Sequence, residues 1–179
     1  MAALPDPTAT LSGEGRRIYE NIRARRAAKG VDHLGPYIPL LNYPELAKYI
    51  ERLGYFYKYE SKLPADVYQF VVLMVAKRSG VTFVWEDHVA AARAAGLPDT
   101  VIAGLESGAG DFPAPFAEVH ATALAAFAYQ SIPKDLQDRV IAGFGPDGLV
   151  EIVTLCGFYS MIGMVNAGFD VPLPARGEH

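Results

Sequence analysis

The sequence predicts an all-α fold, and three observations carry that prediction. Between Leu63 and Leu97, Val67, Phe70, Leu73, Met74 and Lys77 follow the three- and four-residue spacing of one helix face. Prolines and glycines punctuate such segments at Leu63-Pro64, Ser79-Gly80, Pro98 and Gly145-Pro146-Asp147-Gly148. No stretch alternates apolar and polar residues between hairpin turns, as a strand pair would require.

Each element follows from its local chemistry. Residues 1–13, rich in Pro, Thr, Ala and Gly, are expected to form a flexible N-terminal arm or a strap over a neighbouring subunit. Residues 14–29 read as a charged helix with Ile18, Tyr19 and Ile22 as its apolar stripe. Residues 30–43 read as a loop, most of it the stretch HLGPYIPLLNY, apolar enough to lie over a pocket or an interface. A helix follows from Asn42 or Tyr43 to about Tyr57, with Pro44 in the first turn, where a missing N–H costs nothing. Leu63-Pro64 opens the first helix of a central pair. Gly80, suited to positive φ, ends it, and the second helix carries Trp85 and His88 on one face.

Beyond the pair, Pro98 to Ser107 makes a short helix, and SGAGDFPAP is a turn-rich link. Phe116–Gln130 and Pro133–Phe144 are the next helices. After the break at 145–148, Leu149–Phe169 is the longest and is apolar nearly all round, as suits a helix at the centre or in a subunit contact. Gly157, Gly163 and Gly168 each cost it about 1 kcal/mol relative to alanine, which points to close approach of another backbone.

Composition narrows the function classes. At 179 residues the chain reads as one domain able to bury a proper core. Its apolar share is 51% and its mean hydropathy is positive, with an excess that subunit contacts would cover. No apolar run reaches the roughly eighteen residues of a membrane span without a charge or a break. Net charge is −4, so no nucleic-acid partner is expected. The one basic cluster, Arg16 to Lys29, shares its helix with Glu14 and Glu20 and reads as a solvated face. A single cysteine, Cys156, excludes an internal disulfide and a cysteine-based metal cluster. The start, MAALPDPTATLSGEG, shows no secretory pattern, and a cytoplasmic location is the expectation.

The central pair also carries a resemblance. The chain resembles the carboxymuconolactone decarboxylase / AhpD-like family. The peroxidase branch of that family carries a Glu, then twelve residues later a Cys-x-x-Cys, then x-x-x-His. Set on His88, that frame puts Gln69 at the glutamate and Val81 and Val84 at the cysteines. The decarboxylase-like branch favours Glu-Trp-x-x-His, which here reads Val84-Trp85-Glu86-Asp87-His88. Flanking matches are Gly35-Pro36-Tyr37, Leu40 to Ala47, Gly157-Phe158-Tyr159, Asn166 and Asp170 to Pro174, so the likeness runs over residues 16–174. It implies an AhpD-like helical bundle in one domain over 14–174, with a tail at 175–179. It also implies a homo-oligomer (dimer, trimer or hexamer) that needs no cofactor.

The candidate site residues follow. His88 can take or give a proton near neutrality, and is either a pocket residue or a histidine satisfied at a helix contact. The resemblance favours the pocket, with Trp85 as its neighbour. Gln69 can donate and accept hydrogen bonds but cannot shuttle protons as a glutamate would. Glu86 and Asp87 lie one and two residues from His88 around the helix and read as solvated charges. Tyr159 and Asn166 share a face of the last helix as core-bridging groups or pocket donors. Lys58 stands where relatives often carry a basic residue that could receive a carboxylate. His33, in the apolar loop, could face the same pocket. The histidines at 33, 88 and 120 are dispersed, so no metal site is expected.

Val81 and Val84 remove the paired thiols that peroxide reduction needs, and one cysteine in an apolar helix does not replace them. The expected function is a cofactor-free lyase, decarboxylase-like, or isomerase acting on a small aromatic-derived organic acid or lactone. His88 is its proton-transfer group, Gln69 sits beside it, and Trp85, Tyr159, Asn166, Lys58 and His33 bind substrate. The alternative is a noncatalytic small-molecule binder or structural oligomer of the same fold.

Overall fold

A computed structural model of the protein describes residues 4–172; the expected tail at 175–179 lies outside them. Every regular element among the described residues is helical, as the sequence predicts. Packing divides the described residues into two compact units, one made of those up to Phe56 with those from Met164 onward, the other of Tyr57–Gly163.

The first unit is built on α1 (Gly13–Ala27) and α3 (Pro44–Tyr55), with the one-turn helix α2 (Tyr37–Leu40) between them. Ile18 and Ile22 of α1 are buried as their spacing requires. The buried carboxylate of Glu51 on α3 is matched by the Arg25 fork, since an unpaired charge there would be costly. The turn α2 lies inside the segment read as a loop. Tyr37, Pro39 and Leu40 are buried, and a buried backbone must satisfy its own amides, which a helical turn does. The described part of the N-terminal arm is tied down by hydrogen bonds from Arg16 to the Thr8 carbonyl (2.7 Å) and from Asn42 to the Pro5 carbonyl (3.2 Å). On α3, Leu46, Tyr49 and Leu53 form a second apolar edge that stays exposed.

The chain leaves α3 through a π turn, Phe56–Glu60, where continuous α-helix to Tyr57 was expected. In the second unit that wider turn buries Tyr57 against Phe158 (ring centroids 5.3 Å apart) and leaves Lys58 exposed. Ser61 and the Lys62 N–H donate to the buried Glu151 carboxylate, which closes the bend ahead of α4.

Helix α4 (Ala65–Ser79) is the centre of this unit, and α5 (Thr82–Ala94), α6 (Asp99–Ser107) and α7 (Phe116–Phe127) pack against it. Its residues Val67 to Ala76 are all buried, so it has no solvent face over nearly three turns. Gly80 ends it in the left-handed region (φ 66°, ψ 18°), and the Val81 N–H reaches back to the Ala76 carbonyl at 3.3 Å.

The last helix, α8, runs over Lys134–Gly168 and is broken at Gly145 (φ 71°, ψ 172°). The break is narrower than the four residues expected, because Pro146 is suited to a first turn and restarts the helix at once. The helix is long and apolar enough to cross a membrane by length and composition alone, and half of its most apolar window is buried inside the protein. The close backbone approach expected at its glycines is not seen among the described residues. A Cβ at Gly157 or Gly168 would meet nothing within 4 Å, and at Gly163 it would touch only side chains of Val81 and Ser79 at 3.4–4.0 Å.

Phe70 stands at the middle of α4 with 0% exposure, between the rings of Phe112 (5.2 Å) and Phe116 (5.0 Å). Phe70→Ala is expected to lower unfolding free energy by about 3–5 kcal/mol, measured by denaturant titration against wild type.

Candidate active site

The polar groups of the second unit meet at one place. Tyr68 and Gln69 come from α4, His88 from α5 and Tyr159 from α8, and all four are buried. A buried polar side chain needs a partner, and each of these finds one among the others. His88 Nδ1 lies 2.9 Å from Gln69 Oε1. Since a carbonyl oxygen only accepts, Nδ1 carries the ring proton and donates it to Gln69. His88 Nε2 is then left as an acceptor. The Tyr159 hydroxyl lies 3.4 Å from it and is the group that donates to it, through a long contact. Tyr159 and Tyr68 hydroxyls are themselves hydrogen-bonded; with the Tyr159 proton directed to His88, Tyr68 donates to Tyr159. One acceptor, Gln69, thereby sets the direction of the whole chain. The rings pack as the hydrogen bonds demand, His88 edge-on to Tyr159 at 88° and 5.3 Å.

Burial pushes the His88 imidazole down from 6.5 to about 4; the Asp87 carboxylate works against this, and the Lys58 ammonium adds to it. At neutral pH His88 is therefore an uncharged acceptor. The sequence offered it as donor or acceptor alike; the geometry makes it the latter. Asp87 differs from its expected placing. Instead of facing away, its Oδ2 lies 3.7 Å from His88 Nε2, with the side chain 22% exposed. Helical side chains lean toward the N-terminus, which brings the far end of the His88 ring back over the preceding residue.

The other candidates are distributed as follows. Lys58, on the π turn, is exposed, and its charge acts on His88. Trp85 is half-buried and lines a separate open cavity of about 270 Å³ with Lys77, Val81, Thr82 and Glu106; His88 is not in that lining. His33 and Asn166 belong to the first unit. The His33 carbonyl accepts from Arg26 Nε at 2.9 Å, and the buried Asn166 amide has no hydrogen-bond partner among the described residues. Burial pushes the Cys156 thiol up to about 12, which keeps it protonated and unreactive. Among the described residues no group of three or more His, Cys, Asp or Glu could hold a metal ion.

Tyr68 was missed from sequence. It stands inside the apolar run of α4, where a buried hydroxyl had to find a partner, and that was the available signal.

No protein-family model matches the chain, and no curated protein matches it significantly. Two solved structures share its fold. One is a cysteine-to-alanine variant of the debrominase Bmp8 in complex with 2,3,4-tribromopyrrole, at 15% identity and TM-score 0.67 over 97% of this chain and 95% of that one. The other is Bmp8 in its apo form, at 15% identity and TM-score 0.65 over 90% and 88%. The fold is thus all-α and shared with these structures along nearly the whole chain.

Two outcomes follow from the site. Gln69→Glu puts a carboxylate on the Nδ1 proton, so the His88 midpoint, followed by NMR of its ring, is expected to rise from about 4 by one unit or more. Wild-type stability should also depend on His88. Between about pH 4 and 6.5 the unfolded chain binds a proton there that the folded chain does not, so stability present above pH 6.5 is lost as pH falls through this window. The loss is on the order of 3 kcal/mol, and denaturant titrations against pH should show it much reduced in His88→Gln.

Proposed function

We propose that the protein is a cofactor-free isomerase or lyase of the carboxymuconolactone decarboxylase-like type, acting on a small aromatic-derived organic acid or lactone. The observation that carries this reading is a histidine held neutral, with one tautomer selected by Gln69 and its acceptor nitrogen turned to a pair of tyrosine hydroxyls. Such an arrangement moves protons. A proton delivered to the Tyr68 oxygen is matched by transfer of the Tyr68 proton to Tyr159 and of the Tyr159 proton to His88 Nε2. The substrate is left with the electron pair of the broken C–H bond, delocalised onto its carbonyl. Running the relay backwards returns a proton to a different carbon, which gives an isomerisation. Loss of CO2 or another leaving group from the delocalised species gives a lyase.

The dry surroundings strengthen the hydrogen bonds that a tyrosine hydroxyl would donate to a developing oxyanion. A neighbour with the same fold holds a small ring compound, which supports a small-molecule ligand for this chain. The protonated Cys156 gives no support to a thiol route.

A second reading, a noncatalytic binder or structural oligomer, is favoured by one observation. Gln69, His88, Tyr159 and Tyr68 are each buried and satisfy one another, which is also what a purely structural polar core requires.

The test is a screen of the purified protein, with no added metal or thiol, against unsaturated lactones and aromatic acids. Substrate absorbance, CO2 release and deuterium uptake from D2O are followed. Turnover is expected to fall on the order of 10²-fold or more in His88→Ala and to drop in Tyr159→Phe. Binding is followed separately by thermal shift. Clear shifts across the panel with neither turnover nor deuterium uptake would replace this reading with the binding protein.

A further inference from the structure

The acceptor nitrogen of His88 has two oxygen neighbours, and they differ in kind. Tyr159 Oη, at 3.4 Å, belongs to the buried tyrosine pair. Asp87 Oδ2, at 3.7 Å, belongs to a side chain with 22% exposure, against 8% for His88 itself. The nitrogen therefore stands between an interior hydroxyl chain and a carboxylate with solvent access.

The other nitrogen leads nowhere. Nδ1 gives its proton to the Gln69 carbonyl oxygen, and an amide does not relay protons. Protonated His88 would be an imidazolium in a dry setting, costly to keep, so a proton gained from the relay has to return or leave. Among the described residues, Asp87 brings a carboxylate with solvent exposure to the ring, which Gln69 and Tyr159 do not.

We infer that Asp87 is the outward proton partner of His88, passing protons between Nε2 and solvent and so resetting the relay. This rests on the reading of His88 as the proton-transfer group. The step balances simply: the Nε2–H proton passes to the Asp87 carboxylate, His88 returns to neutral imidazole, and the Asp87 acid then releases the proton to water or buffer. At 3.7 Å the pair is at ion-pair distance but beyond a direct hydrogen bond, so a small rotation of Asp87 or one bridging water completes the path. Asp87 acts through His88 and is a positioning residue in this scheme. The charge of Lys58, which also acts on His88, helps to expel the proton outward.

The test needs no substrate. The rate at which His88 gains and loses its proton is measured in the intact protein by relaxation dispersion of the ring carbon Cε1, near the His88 midpoint. In Asp87→Asn, which keeps the side-chain shape, this rate is expected to fall by about tenfold or more, with Asp87→Glu restoring it and added formate rescuing Asp87→Asn. An unchanged rate in Asp87→Asn overturns the inference. So does a slowed rate that neither Asp87→Glu nor formate restores, since that marks a structural role for the residue. Failure of the proposed function shows instead as a silent substrate panel with proton exchange at His88 intact, so the two failures are distinct.

Discussion

The burial of α4 on every side from Val67 to Ala76 is the constraint on which the second unit depends. A helix with one solvent face can point its polar residues outward. Over Val67 to Ala76 this one cannot, because α5, α6 and α7 pack around it and each of these residues is inside. The two polar side chains in that stretch, Tyr68 and Gln69, must therefore be satisfied from neighbouring helices. His88 and Tyr159 answer that demand. The polar chain is a consequence of packing as much as of any chemistry it performs, and the same close packing keeps it dry.

Dryness then decides the charge state. An imidazole that would be half protonated near pH 6.5 in water is uncharged here across the neutral range, and the groups that modulate it, Asp87 and Lys58, do so from nearer the surface. A glutamine at position 69 reinforces this. A carboxylate there would favour the imidazolium, while the amide offers one neutral acceptor and fixes the tautomer. The choice of glutamine over glutamate at this position thus changes what the histidine is. It leaves a neutral hydrogen-bond acceptor in place of half of an ion pair.

The likeness to Bmp8 spans nearly all of this chain at 15% identity, which is the behaviour of a fold maintained by burial pattern more than by particular residues. Helix lengths, the left-handed stop at Gly80 and the buried face of α5 are properties that many sequences satisfy. Which side chain faces the centre of the packed helices is a separate matter, and it separates one activity from another.

Much of this architecture was legible in the sequence, because its causes are local. Proline and glycine punctuation set the ends of α3, α4 and α6 to within a residue or two, Gly80 took the positive φ it was assigned, and helical spacing named Phe70 and Leu73 as core. The pairing of Gln69 with His88 came from the resemblance, and the structure brings the two within hydrogen-bond distance. Three things only the tertiary structure decided. Tyr68 gained its role through a contact with a residue 91 positions away, which no local pattern encodes. Asp87, whose position around the helix read as outward, was brought to the ring because a side chain's reach is set by its lean and rotamer as well as by its place in the helical turn. The histidine's charge state followed from how much water the surrounding helices exclude, a property of the packed assembly of side chains and of no single residue within it.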